Sequence, residues 1–394
     1  MRGHEIEVVF SRTIEAVRRV EAPPLGTDPT YLAPAWIDLQ VNGFAGADYN
    51  SPETSHEIIA ASIQAQFATG VARFFPTVVT GSAERISGSL RNLAKARSSL
   101  AEGGAMEGFH LEGPYISPED GPRGAHLRSY VRPPDIDEFR RFQDAADGHI
   151  RILTLAPEWP GAPSFIEKVV EQGVVVSIGH TDAGAQDIQN AVSAGASLST
   201  HLGNAAYPVM KRHPNVLWEQ LAEDRLMASF IVDGFHLPAS FLKAAWRAKG
   251  NARSILVTDA VLPAGCAPGI YRQGDLDLEL HKDGSVRLAG GTRLAGSALF
   301  LNDAISNLMQ STGLTLGDAV RAATTNPAVA ARVPRRQRGL TENEHADLVR
   351  FAVNSGRISV TETYMDGRLV FAAKNSELPG CEDESSLLPS PKQR

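Results

Sequence analysis

Cysteine is nearly absent from this chain: only Cys266 and Cys381 occur in 394 residues. Two cysteines cannot build a disulfide framework, and neither has a Cys-x-x-Cys partner for thiolate metal binding, so a reducing compartment fits. Long apolar runs are missing too. No stretch approaches the roughly 18 apolar residues that span a bilayer. Residues Met1–Val20 are charged throughout and lack the apolar core of a secretory signal. There is no excess of basic charge. Lys and Arg number 38 against 45 Asp and Glu, a formal net charge of -7, which gives no bulk attraction for nucleic acid or an anionic membrane. A cytoplasmic protein with neither partner is expected. Two catalytic signatures are also lacking. No Ser sits in a Gly-x-Ser-x-Gly setting. Neither Gly103-Gly104 nor Gly290-Gly291 leads into the Lys and Ser/Thr of a phosphate-cradling loop. No internal repeat of fixed period is present.

What the chain does have is a long alternation of apolar runs and helical stretches. The runs are Trp36–Val41, Arg73–Phe75, Gly108–Leu111, Ile150–Leu155, Val174–Ile178, Ser197–Thr200, Met227–Val232 and Ser254–Val257. Each has the length of a strand buried on both faces. Helices are expected between most of them, at Ser55–Ala68, Ser82–Ala101, Ala162–Gln172, Asp182–Ala194, Val216–Glu223 and Ala239–Ala248. Eight strands alternating with helices predict an α/β fold, a (β/α)8 TIM barrel over residues 35–340. Two more helices are expected at Leu299–Thr312 and Leu316–Ala330, and a β-hairpin insertion at Leu276–Leu288. Residues 1–34 and 341–373 read as the two halves of a small β-sandwich domain, with a turn at Asp366-Gly367. The polar, Pro- and Ser-rich stretch 374–394 reads as a disordered tail.

In barrels of this type the chemistry sits at the C-terminal ends of the strands. Here those ends are polar. The first run carries Gln40 and Asn42, the third His110 and Glu112, the fifth ends at His180 and the sixth at His201. The seventh leads into Asp233 and His236, and the eighth reaches Asp259. A lone His after a strand is more often a hydrogen-bonded structural residue. The weight lies in the coincidence, because two His and one Glu from three strands converge if the barrel closes. Three N/O ligands with an open position compose a catalytic zinc site. A carboxylate at the end of the last strand, Asp259, is placed to shuttle a proton, its alternative being a cap or turn residue.

These residues fall in motifs. Gly108-Phe-His-Leu-Glu-Gly-Pro114, Ile178-Gly-His180, Thr200-His-Leu-Gly-Asn-Ala205, Val232-Asp-Gly-Phe-His236, Val257-Thr-Asp-Ala260 and Leu294-Ala-Gly-Ser297 follow in order through most of the chain. Together they resemble the N-acetylglucosamine-6-phosphate deacetylase family of the amidohydrolase superfamily. The resemblance implies one divalent metal held by Glu112, His180 and His201, with Asp259 as general base and acid. His126, next to Ala125, would polarise the acetyl carbonyl, and Asn204 and Ala205 would bind the sugar-phosphate end. Arg212 would contact the phosphate and His236 a sugar group or the phosphate, while Leu294, Ala295 and Gly296 would close over the sugar. The family further implies a homodimer, with some contacts crossing the interface, and a place in amino-sugar catabolism.

Most amidohydrolases carry His-x-His on the first strand, whereas Gln40 and Asn42 occupy the matching positions here. Amides cannot replace two imidazoles for a transition metal, so a single ion is expected, zinc first and iron or another divalent ion as alternatives. The N-terminal β segment is shorter than the family's, and the stretch Asn204–Arg212 departs from its pattern. Lys211 and Arg212 could instead form a solvated loop, and for activity the alternatives are another acetylated amino sugar or another cyclic or linear amide. A barrel that binds sugar without turnover is a third reading.

Overall fold

Strand register, more than helix packing, positions the polar residues of this protein. The computed structural model describes residues 5–20 and 30–373; the tail expected from 374 lies outside the described residues. The barrel strands are β1 Trp36–Val41, β2 Val71–Val79, β3 Phe109–Glu112, β4 Ile150–Leu155, β5 Val175–Ile178, β6 Leu198–Ser199, β7 Met227–Phe230 and β8 Ser254–Leu256. They form one eight-stranded sheet in sequential order, with every pairing parallel. A parallel bridge between Val41 and Ala260 closes the ring, and Asp259 N–H donates to Gln40 O at 3.0 Å beside it. The expected (β/α)8 barrel is therefore the fold.

Among the helices of the described residues that pack around it are α1 His56–Ala68, α2 Ala83–Ser99, α3 Ile136–Ala145, α4 Ala162–Glu171, α5 Ala185–Ser193, α6 Val216–Ala222, α7 Ala239–Lys249 and α8 Leu301–Thr312. Side-chain caps set several starts. Ser55, Ser82 and Asp135 each accept the backbone N–H three residues on, satisfying a donor that the first turn leaves unpaired. Helix α3 was not among the expected helices, although Asp135 marks its start after two prolines. The expected single helix 316–330 is two, Leu316–Ala322 and Thr325–Ala330, because Pro327 has no N–H for a continuous ladder.

The insertion after β8 is larger than a hairpin. It is a three-stranded antiparallel sheet of Gly269–Gln273, Leu276–Leu280 and Val286–Leu288, standing at the C-terminal end of the barrel. At the other end the chain halves meet. Thr30–Pro34 pairs antiparallel with Leu348–Asn354, followed by Arg357–Met365 and Arg368–Ala372. The hairpin Ile6–Phe10/Ile14–Arg19 packs on this sheet through Ile14, Ala346 and Leu348, as the expected two-layer β domain requires. A buried charge cluster ties this domain to the barrel. Asp347 accepts Arg73 Nε at 2.8 Å, Arg73 Nη2 at 3.2 Å, and Arg336 Nη1. Burial opposes its ionisation, but Arg336 and Arg73 outweigh this and hold the Asp347 carboxyl well below the usual carboxylate range.

Candidate metal centre and active site

Alternation along β1 and β3 decides which side chains enter the barrel. Successive strand residues point to opposite faces, so Asp38, Gln40 and Asn42 share the interior side, as do His110 and Glu112. The deeper His110 is not at the site. Its Nδ1 bonds Leu39 O at 3.0 Å and its Nε2 bonds Thr154 Oγ1 at 2.7 Å, so both nitrogens are consumed. Thr154 and Ser177 each reach Thr200 Oγ1 at 2.6 Å, forming a layer of hydroxyls below the strand ends.

Glu112, His180 and His201 converge above that layer. Glu112 Oε1 lies 3.0 Å from His201 Nε2 and 3.2 Å from His180 Nε2, and the two Nε2 atoms are 3.2 Å apart. A tetrahedral ion with bonds of 2.0–2.1 Å has ligand atoms about 3.3 Å apart, so this triangle matches one face of such a site. His180 Nδ1 donates to Pro122 O at 3.0 Å, which leaves the Nε2 lone pair facing inward as a metal ligand needs. Burial acts to raise the pKa of Glu112, but hydrogen bonds and charge from His180 and His201 overcome it and hold the group well below the usual range. A carboxylate that remains ionised among imidazoles is the donor set a divalent metal fits. Glu112, His126 and His180 also lie close enough to share an ion. His126 Nε2 is 4.0 Å from Glu112 Oε2, wider than the 3.0–3.2 Å sides of the Glu112–His180–His201 triangle.

Asp259 stands at the closing seam. Its Oδ1 accepts Asn42 Nδ2 at 2.6 Å and Gln40 Nε2 at 3.2 Å, and Gln40 Nε2 also donates to Glu112 Oε1 at 2.9 Å. One amide thus bridges the two carboxylates. Burial, then the Glu112 charge, pushes the Asp259 carboxyl up to about 6. Burial, then the field of His180, pushes the His126 imidazole down to about 3, so the ring is neutral at pH 7; among the described residues its Nδ1 has no hydrogen-bond partner. His236 Nδ1 bonds Asp233 Oδ2 at 2.6 Å, which fixes the ring. Four residues of this region hold left-handed backbone: His180 (φ 52), His201 (φ 30), Ala205 (φ 48) and Asp259 (φ 51). Such conformations cost free energy in non-glycine residues and concentrate where function demands them.

These groups line a cavity of about 850 Å³. Of the residues expected at the site, Ala125, His126, Asn204, Ala205, His236, Leu294, Ala295 and Gly296 all line it with Glu112, His180, His201 and Asp259. Arg212 does not. It is exposed, outside the lining, and its backbone carbonyl accepts Asn215 Nδ2 at 3.3 Å. The cations on the wall are Arg85 and Arg293, which the sequence motifs do not single out. Arg85 is spent on Asn50 O, Thr80 O and Asp275, while Arg293 Nη1 donates to Gly124 O at 2.9 Å. Arg293 directly precedes Leu294, and that adjacency was the signal available for it.

Comparison with known proteins follows the same lines. A model of the amidohydrolase family matches residues 31–370. The N-acetylglucosamine-6-phosphate deacetylase of Bacillus subtilis (strain 168) is 30% identical over 364 residues, 91% of this chain and 88% of its own. The Homo sapiens protein of the same name is 33% identical over 353 residues, 87% and 84% of the two chains. Among solved structures, a mutant of the Mycobacterium smegmatis deacetylase in complex with N-acetyl-D-glucosamine-6-phosphate gives a TM-score of 0.83 at 30% identity, covering 92% of this chain and 93% of that one. The Thermotoga maritima deacetylase gives 0.80 at 29% identity, covering 93% and 95%. Enamidase, 14% identical with a TM-score of 0.54, shares the fold alone. With its barrel, its Glu-His-His triangle and full-length relatives in agreement, the chain belongs to the amidohydrolase family, within the group of the N-acetylglucosamine-6-phosphate deacetylases.

Proposed function

We propose that this protein hydrolyses the acetamide of N-acetylglucosamine 6-phosphate to glucosamine 6-phosphate and acetate. The observation that carries the reading is the meeting of Glu112, His180, His201 and Asp259 at one end of a single cavity. Glu112, His180 and His201 would hold one divalent ion, which would supply a lowered pKa for water, toward about 7, and polarisation of a carbonyl. Zinc suits two imidazoles and a carboxylate, with iron the nearest alternative. Asp259 takes the proton from the attacking water and returns it to the departing nitrogen. A carboxylate at that position can accept the water's proton and give it up again to the nitrogen. Neutral His126 donates a hydrogen bond to the acetyl oxygen as negative charge develops there. Asn204, Ala205 and the loop Leu294–Gly296, all on the cavity lining, orient the sugar.

The protein acts as a homodimer in this reading. Arg212 lies outside its own cavity on an exposed segment with Val209, which is 87% exposed, and Trp218 on the next helix is 54% exposed. In a homodimer Arg212 would reach the phosphate bound by the partner subunit. No described helix is long and apolar enough to cross a membrane; we place the activity in the cytoplasm. Acetate release from N-acetylglucosamine, its 6-phosphate and the galactosamine and mannosamine counterparts tests the substrate. The 6-phosphate of the glucosamine series should dominate. Release confined to unphosphorylated sugars would reject the role of Arg212.

A further inference from the structure

Asp38 is a fully buried carboxylate on β1 that the proposed chemistry does not use. It accepts Thr258 Oγ1 at 2.6 Å, Thr258 N at 3.3 Å and Gln40 N at 3.2 Å. The Thr258 hydroxyl in turn accepts the N–H of Ala260 at 3.1 Å. One hydroxyl therefore spans the residue between them, Asp259, and encloses its left-handed bend (φ 51). From the other side Ser297 donates Oγ to Thr258 O at 2.6 Å and its N–H to Asp259 O at 2.9 Å. A strained bend persists only where its surroundings over-determine it. Burying a polar carboxyl group for packing alone is costly. Misplacement of a reacting group by about 1 Å can cost about 100-fold in rate.

We infer that Asp38, acting through the Thr258 hydroxyl, is a positioning residue that aims the Asp259 carboxylate at the reacting water. The inference rests on the reading of Asp259 as the proton carrier. Its test compares Thr258→Val, Thr258→Ser, Asp38→Asn and the double variant Asp38→Asn/Thr258→Val in the full chain, measuring kcat, KM, bound metal and melting temperature. Thr258→Val should lower kcat by about 10- to 100-fold with KM and metal content within about two-fold. Thr258→Ser keeps the hydroxyl and should recover kcat to within about three-fold of the parent. Because the two residues act in series, the double variant should be about as slow as the slower single one instead of showing multiplied losses. A kcat near the parent in Thr258→Val, or losses that multiply in the double variant, would overturn the inference. Should Thr258→Val not fold, unchanged kcat in Asp38→Asn overturns it equally. Absence of acetate release by the parent, or full turnover in Asp259→Asn, would instead remove the catalytic reading beneath it.

Discussion

Replacing Asp259 by Asn separates catalysis from assembly. In the structure Asp259 Oδ1 accepts both Asn42 Nδ2 and Gln40 Nε2. An asparagine of the same shape keeps its carbonyl oxygen on those two donors and leaves its NH2 where the second carboxylate oxygen stood. The fold, the Glu112–His180–His201 triangle and the cavity are then retained, since none of their contacts depends on that second oxygen. What is lost is the only role an amide cannot fill, taking a proton near neutral pH. General acid–base catalysis contributes about 10²- to 10⁴-fold. At about 1.36 kcal/mol per decade this is roughly 2.7–5.4 kcal/mol of barrier. The upper part of the range applies, because one carboxyl serves both the water and the departing nitrogen. Steady-state acetate release gives kcat, elemental analysis gives metal per chain, and calorimetric titration with substrate gives binding. The expected result is a kcat at least about 1,000-fold lower with metal and substrate affinity unchanged. A kcat above a tenth of the parent value would refute Asp259 as the proton carrier, and a parallel loss of metal would show it to be a ligand instead.

Dialysis against a chelator should abolish turnover and lower the melting temperature, with one zinc per chain restoring both; two tightly held ions per chain would contradict the role given to Gln40 and Asn42. Gly124→Ala should lower metal occupancy. The glycine has φ +62, and an added Cβ would meet His180 Cε1 at 3.1 Å, so elemental analysis showing full occupancy would refute a rigid second wall behind that ligand. Asp347→Ala leaves Arg336 in the interior without its ion-pair partner and Arg73 with only Asp366 and Glu107, and should cost about 3–5 kcal/mol in urea unfolding. Because the folded pKa of Asp347 is depressed below an unfolded value near about 3.9, its stabilisation is fully present above about pH 4 and fades as pH falls toward the folded value. The stability gap between parent and variant should therefore be flat from about pH 5 to 8 and narrow in acid. Arg212→Met should raise KM for the 6-phosphate by about ten-fold or more while leaving an unphosphorylated sugar unaffected, since one charged hydrogen bond to phosphate is worth about 1.5–3 kcal/mol.

Local pattern carried the barrel and the ends of its strands. Runs such as Trp36–Val41 and Ile150–Leu155 are mostly apolar and agree with the observed bounds, because a parallel strand covered on both sides admits few polar residues. His180, His201, Glu112 and Asp259 were legible for a related reason: each follows an apolar run abruptly, and packing alone does not ask for that. Element ends set by single residues were less legible. Helix α3 is short and strongly charged, and the break at 323–324 depends on one proline inside an otherwise helical stretch.

By itself, then, the sequence determined the alternation that closes into a barrel, the residue types at the strand ends, and the replacement of imidazoles by Gln40 and Asn42. Only the tertiary structure decided which of those residues meet. Closure of β1 on β8 brings Gln40 between Glu112 and Asp259, 72 and 219 residues away, and sets Asp38 beneath Thr258. Packing consumed both nitrogens of His110, which the sequence could not distinguish from His180. It also left Arg212 outside the cavity and put Arg85 and Arg293 on its wall. Strand parity and hydrophobic period are local and can be read along the chain, whereas the distance between two side chains depends on ring closure and loop path, which no window of sequence contains.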